Sequence, residues 1–251
     1  MIETGRTRPG THRVKTDVCV IGSGAGGAVA SAVLAEGGRE VVILEQGAYQ
    51  TAADFDQRED TMLPRLFEDA GMRATEDGGV VILQGRGVGG STVHNLCYCF
   101  RAPLPILELW SERYGVKGLS NLDGSFERVE AGLHVQPILE EELDPLNRAI
   151  RRGANLLGYH GLVAKHNRVG CVRSGYCILG CAYDAKQSML VTYVPRATQA
   201  GAQLWSDCRA DRIEVGASMH RVHATVLDPQ GHPHGKLLVE ARVVVCSAGA
   251  I

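Results

Sequence analysis

The sequence is short of three things, and each shortage closes off a class of function. It has no excess of charge: 26 Lys and Arg against 28 Asp and Glu leave a formal net charge of −2. That gives no electrostatic case for binding nucleic acid or an anionic membrane surface. It has no apolar run near the ~20 residues that a membrane span needs, so no span is predicted. Its first stretch, Met1 to Thr16, is polar with scattered Arg, Lys and His. No apolar leader is visible there, and a short disordered lead-in is expected. Eight cysteines without such a leader point to reduced thiols in a cytoplasmic setting, not to a disulfide framework.

Glycine is abundant, with 31 in 251 residues. That suits tight turns and close approach of backbone to a ligand. A chain of this length can bury a substantial core, as one large domain or two smaller ones. The run Asp17-Val-Cys-Val-Ile-Gly-Ser-Gly-Ala-Gly-Gly27, with the small residues Ala28–Ala35 behind it, reads as buried strand, glycine turn and close-packed helix. A second apolar strand, Glu40–Leu44, ends in the acid Glu45. Gly22, Gly24 and Gly27 fall at G-x-G-x-x-G spacing, and Glu45 lies 18 residues beyond the last of them.

Each position has a physical task. Gly22 permits the turn, Gly24 lets backbone N–H groups reach a pyrophosphate, and Gly27 lets helix and strand touch. The helix N-terminus favours the diphosphate charge. Glu45 can accept from ribose hydroxyls and opposes a 2′-phosphate. FAD or NAD is therefore favoured over NADP, and this motif alone does not choose between those two.

The segment 46–79 is long and polar for a connection, with one short helix expected over Asp60–Ala70. Next comes Val80-Val-Ile-Leu-Gln-Gly-Arg-Gly-Val-Gly-Gly-Ser-Thr-Val-His-Asn95. Gly85, Gly87, Gly89 and Gly90 crowd six residues and run into Ser91, Thr92, His94 and Asn95. A plain glycine turn has no need of that polar cluster, so this is read as a ligand loop. Helices are expected over 104–115, 122–133 and from Asp144 to Gly158. In the last, Asp144 is the N-cap and Leu146, Ala149, Ile150, Ala154 and Leu157 share one face. Short strands Arg212–Val215, Arg221–Leu227 and Lys236–Glu240 suggest an antiparallel meander. Ala241-Arg-Val-Val-Val-Cys-Ser-Ala-Gly-Ala-Ile251 is expected as a second buried strand, running into small residues such as Ala248 that can lie against a cofactor.

Three of these blocks, Val20–Gly27 through Gly47, Gly85–Asn95 and Val243–Ala250, resemble the glucose–methanol–choline (GMC) oxidoreductases in order and spacing. The filling Gly175–Ser188 looks most like the long-chain alcohol oxidase branch. The resemblance implies an α/β fold: a Rossmann-like FAD-binding domain with a parallel sheet and a meander (16–114 and 203–251), plus an inserted, mostly helical lobe (115–202). It implies FAD as cofactor and oxidation of the CH–OH group of a small-molecule alcohol by hydride transfer to flavin N5. FAD diphosphate and ribose would be held by Gly22, Gly24, Ala25, Gly27 and Glu45. The flavin side would meet Arg86, Gly89, Gly90, Ser91, His94 and Asn95, and Ala210 would lie by the adenine.

Some family members join a histidine at the offset of His94 covalently to the flavin, so FAD linked through His94 is one expectation and a non-covalent neighbour the other. The family's catalytic base belongs to a C-terminal half that this sequence does not show, so no catalytic residue is named. The electron acceptor is likewise unassigned. A non-catalytic FAD-binding fragment, completed by a C-terminal-half partner, and an NAD-dependent dehydrogenase remain alternatives. Cys171, Cys177 and Cys181 lack the commoner metal spacings, so packed thiols and no metal are expected. Cys97 and Cys99 alternate along an extended segment and should face apart.

Overall fold

The structure, a computed structural model, describes residues 1–250. Ile251, the end of the strand expected from Ala241, lies outside the described residues. The chain forms two compact units, one of residues 1–96 and 171–250, the other of residues 97–170. The expected lobe bounds of 115–202 therefore differ from the smaller unit. Residues 171–202 go with the larger one because they pack against its glycine loop and first helix.

The larger unit is built on one mixed sheet. Its strands are β1 (Ile2–Thr4), β2 (Gly10–Ile21) and β3 (Val41–Leu44), with helix α1 (Ala25–Glu36) between the last two and α2 (Glu59–Leu66) after them. The smaller unit carries β4 (Tyr98–Cys99), α3 (Leu104–Tyr114), α4 (Asp123–Gly132), β5 (Val135–Pro137), α5 (Pro145–Leu156) and β6 (Lys165–Asn167). Back in the larger unit come α6 (Tyr193–Gln199), β7 (Gln203–Ser206), β8 (Cys208–Glu214), β9 (His220–Leu227) and β10 (Pro233–Cys246).

The large sheet runs β1-β7-β3-β2-β10-β9-β8, parallel from β1 to β10 and antiparallel from β10 to β8. Its core is Cys19, Val42, Leu44, Trp205, Val222, Val226, Leu237 and Val239. Each buried Val or Leu contributes about 1.5–3 kcal/mol of transfer free energy. Helix α1 turns Gly27, Ala28, Ser31, Ala32 and Ala35 inward. These small side chains let it sit close to the sheet and to Val194 and Ala197 of α6, both fully buried.

Three expectations are corrected. First, Met1–Thr16 is ordered, not a loose lead-in. β1 pairs with β7, and residues 10–16 are the first half of β2, paired with β10. Backbone pairing is indifferent to the polarity of the outward side chains, which is why composition misled. Buried Asp207 adds anchors, accepting from Thr4 Oγ1 at 3.0 Å and Arg6 Nε at 3.0 Å. Second, the runs expected as separate strands at 236–240 and from 241 are one continuous strand, β10. It pairs with β2 from Gly235 to Cys246 but leaves β9 at Ala241. Beyond that point it is a sheet edge and not buried, with Val243 half exposed and Cys246 exposed. Third, α2 stops at Leu66. Phe67 turns extended, and Asp69 and Ala70 take positive φ of 50° and 53°.

In the smaller unit β4, β6 and β5 form an antiparallel sheet, and the three helices fall close to the expected positions. Asp144 caps α5 by accepting from the Asn147 N–H at 2.9 Å. The apolar face that the sequence places on α5 is open in this unit, with Leu146 and Ile150 69% and 59% exposed. Arg101 makes a two-pronged ion pair with Glu130 (2.8 and 2.9 Å). Among the described residues no helix is long and apolar enough to cross a membrane.

Candidate cofactor site

The glycine turn after β2 is closed by Gly22 N–H donating to Leu44 C=O at 2.8 Å. Gly22 has φ of 95°, and a Cβ there would lie 2.4 Å from Ser247 O. A Cβ on Gly27 would lie 2.0 Å from Gly22 O. Packing alone therefore demands glycine at both positions. Gly24 is different. Its φ is −71°, and a Cβ would meet nothing nearer than Gly90 Cα at 3.8 Å. Gly26 is equally open, its nearest neighbour being Ser247 Oγ at 3.8 Å. Two glycines that the protein does not itself require stand at the start of α1, whose first turn has no side-chain cap and no acid. A group that must approach the backbone there, and that carries negative charge, fits this arrangement.

Glu45, at the end of β3, is buried. Its Oε2 accepts from Ser23 N–H (3.1 Å) and Ser23 Oγ (2.7 Å), and its Oε1 from Gly47 N–H (3.0 Å). Burial pushes this carboxyl up from the ordinary carboxylate range, and the donors from Ser23, Gly47 and Gly87 pull it back. Ser23 Oγ also accepts from Gly89 N–H at 3.1 Å. One hydroxyl thus joins the acid, the first glycine turn and the second glycine loop.

That second loop is set hard against the first. Gly89 and Gly90 have φ of 96° and 54°, and a Cβ on Gly90 would lie 2.9 Å from Gly24 Cα. After Gly90 the chain makes a short 3₁₀ turn to Thr92, and Ser91 Oγ accepts from Gly85 N–H at 2.9 Å. The third block closes the arrangement, with Ser247 N–H donating to Ile21 C=O at 2.8 Å.

Between these elements lies a cleft of about 530 Å³. Of the residues singled out from sequence, Gly22, Gly24, Ala25, Glu45, Gly90, Ser91, Ala210 and Ala248 line it. Gly27 and Gly89 stand behind it as packing positions. Arg86 borders a separate small hollow with Gln50, Phe55 and Leu190, and Asn95 is exposed on the loop beyond.

His94 does not line the cleft either. It is buried, with its ring 4.0 Å from that of Phe67 and no hydrogen-bond partner on Nε2. A Cβ on Gly85, which does line the cleft, would lie 2.6 Å from that nitrogen. Burial, with the Lys186 charge second, pushes the imidazole down to about 4.

Several contributors were not foreseen. Glu68, Arg73 and Gln84 line the cleft together with Gln46. Gln46 Nε2 donates to Glu68, Arg73 Nη1 donates to Gln84 Oε1 at 2.5 Å, and Arg73 pairs with Glu68 at 3.7 Å. The unusual length of the 46–79 connection was the only signal for Gln46, Glu68 and Arg73, while Gln84 stands just before the second glycine block. Ser23 sat inside the first motif as one of its variable positions. Cys208 also lines the cleft, its thiol pushed up to about 12 by burial, so it is held protonated. No histidine among the described residues lines the cleft.

A strand–turn–helix with an uncapped helix start, an acid closing the next strand and a second glycine loop pressed onto the first define a dinucleotide-binding domain. The chain belongs to the GMC oxidoreductase family, whose profile matches residues 63–251, and it carries that family's FAD-binding domain. It is 30% identical over 249 residues to the long-chain-alcohol oxidase FAO3 of Arabidopsis thaliana, covering 95% of this chain and 33% of that protein. It is 34% identical over 242 residues to an uncharacterized GMC-type oxidoreductase of Mycobacterium tuberculosis, covering 94% of this chain and 38% of the relative. The chain thus spans about a third of the length of these relatives. In fold it is similar to the crystal structure of pyridoxine 4-oxidase from Mesorbium loti, with a TM-score of 0.60 at 18% identity over 94% of this chain and 50% of that one.

Proposed function

We propose that the cleft holds FAD and that the protein takes part in oxidising the CH–OH group of an alcohol. When bound, FAD supplies the hydride acceptor. The observation that carries the reading is the open backbone of Gly24 and Gly26 at the bare start of α1, with the second glycine loop pressed against it at Gly90. In this reading Gly24, Ala25 and Gly26 hold the diphosphate with backbone N–H groups and the positive end of the helix. Glu45 sits where the adenosine ribose would lie, and Ala210 offers a small side chain to the adenine. Gly90, Ser91 and Ala248 border the flavin end.

The long-chain-alcohol oxidases among the relatives favour a long-chain alcohol as substrate. A base that takes the alcohol proton is needed, and none is assigned to the residues around the cleft. Purified chain mixed with FAD and desalted should keep absorbance bands near about 370 and 450 nm. A colourless protein, or one that retains NAD instead, overturns the reading. Anaerobic bleaching of those bands by a long-chain alcohol would show that the chain also turns over. Stable colour would leave it a cofactor-holding domain.

Covalent attachment through His94 is the finer form of the proposal. Its support is the offset of His94 from the paired glycines and an Nε2 with no hydrogen-bond partner close behind Gly85. Acid denaturation of the loaded protein decides. Colour that stays with the polypeptide supports the bond, and colour that washes away leaves His94 a buried neighbour.

A further inference from the structure

Lys186 is 3% exposed. Its Nζ donates to Val93 C=O (2.9 Å), Asn95 C=O (2.6 Å) and Cys177 C=O (2.5 Å). Two of these carbonyls flank His94 in the chain. A buried ammonium costs several kcal/mol unless its protons are bonded, and a side chain without donors would strand the carbonyls instead.

The same segment grips the glycine block at two more points. Met189 N–H donates to Thr92 Oγ1 at 3.0 Å, and Thr92 Oγ1 donates to Gly89 C=O at 2.6 Å. A Cβ on Gly89 would lie 3.0 Å from Leu190 N. Residues 186–190 therefore run along 89–95 as a brace, with the charged group at the end that carries His94.

We propose that Lys186 is a positioning residue for His94: it fixes the backbone on both sides and holds the imidazole with its Nε2 unpartnered behind Gly85. The proposal rests on the FAD reading only for what the turn serves; the coupling of the two side chains is a property of this chain by itself. A cation fixed beside the ring opposes a second positive charge, and the same three bonds keep the turn from opening. A structural staple would provide the bonds without governing the ring.

The test uses the full chain without flavin. His94 is assigned in the histidine-ring NMR spectrum by its loss in H94N, and its titration is followed in wild type and in Lys186→Met. Wild type should titrate near pH 4, in line with the shift to about 4. K186M should raise the midpoint by at least about one pH unit, since removing a nearby charge relieves the repulsion. Amides 85–96 should exchange at least tenfold faster while those of β2, β3 and β10 keep their rates. An unchanged His94 midpoint in K186M, or exchange rising equally across the sheet, overturns the proposal. Should K186M fail to fold, Lys186→Gln, which keeps two donors without the charge, is judged by the same midpoint. Retention of FAD by wild type is measured separately. Its failure would remove the cofactor reading and leave the Lys186–His94 result standing.

Discussion

The two motif glycines Gly24 and Gly27 are only three residues apart, yet the structure assigns them opposite sensitivities to an added methyl group. At Gly27 the new Cβ would stand 2.0 Å from Gly22 O, a backbone atom inside the turn. Neither can retreat without parting α1 from β2, so Gly27→Ala should fall at the upper end of overpacking costs, about 3 kcal/mol or more. For a domain of this size that lowers Tm by roughly 6–12 °C. At Gly24 the Cβ meets only Gly90 Cα at 3.8 Å, and φ of −71° suits any residue. Alanine is a poorer helix cap than glycine by up to ~1 kcal/mol, but it gains about 0.4–1 kcal/mol through the unfolded chain. Gly24→Ala should therefore melt within about 2–4 °C of wild type.

Its effect should appear on binding instead, because the methyl group enters the cleft where a diphosphate would touch backbone. A weakening of FAD binding by tenfold or more, ~1.4 kcal/mol, is expected. Thermal melts without flavin and titration of FAD by flavin fluorescence check both halves. A Gly24→Ala protein that melts as early as Gly27→Ala, or that binds FAD as wild type does, refutes the division of roles.

Further outcomes are expected. His94, held near 4 in the folded protein against 6.5 when unfolded, binds a proton in the unfolded chain first. Stability is therefore lost as pH falls from about 6.5 toward 4, with His94 contributing about 2 kcal/mol between pH 7 and 5; urea unfolding at the two pH values should show a loss smaller by about that amount in His94→Asn than in wild type. Ser23→Ala removes the donor to Glu45 Oε2 and the acceptor for Gly89 N–H. A cost of about 1–3 kcal/mol should be seen as a lower urea midpoint, together with weaker FAD retention. Asp207→Asn should weaken the anchors of Thr4 and Arg6 by about 1.5–3 kcal/mol and speed hydrogen exchange at residues 2–7 selectively.

The local sequence by itself determined the βαβ unit, the two glycine blocks, the meander and the helices at 104–114 and 145–156. In each of these the signal is short-range: alternation, a cap, or a glycine whose neighbours leave it one conformation. It also pointed to most of the cleft wall, since Gly22, Gly24, Glu45, Gly90 and Ala248 sit inside those blocks. Pairing across long separations was not legible. The polar residues 10–16 became a strand only because β10 offered a partner more than two hundred residues later. The same β10 was read as two strands because its neighbour on one side ends at Ala241 while the other continues. The cleft's Glu68 and Arg73 come from a connection with no periodicity to read.

Only the tertiary structure separated Gly27, which packing requires, from Gly24, which it leaves open. A motif records which residue stands at a position, whereas the space beside it belongs to elements far along the chain. It likewise placed Lys186 against the carbonyls around His94, a contact across more than ninety residues that no spacing rule contains. The blocks that would meet a cofactor are local and were visible; the side chains that hold those blocks in place are distant and became visible only in the fold.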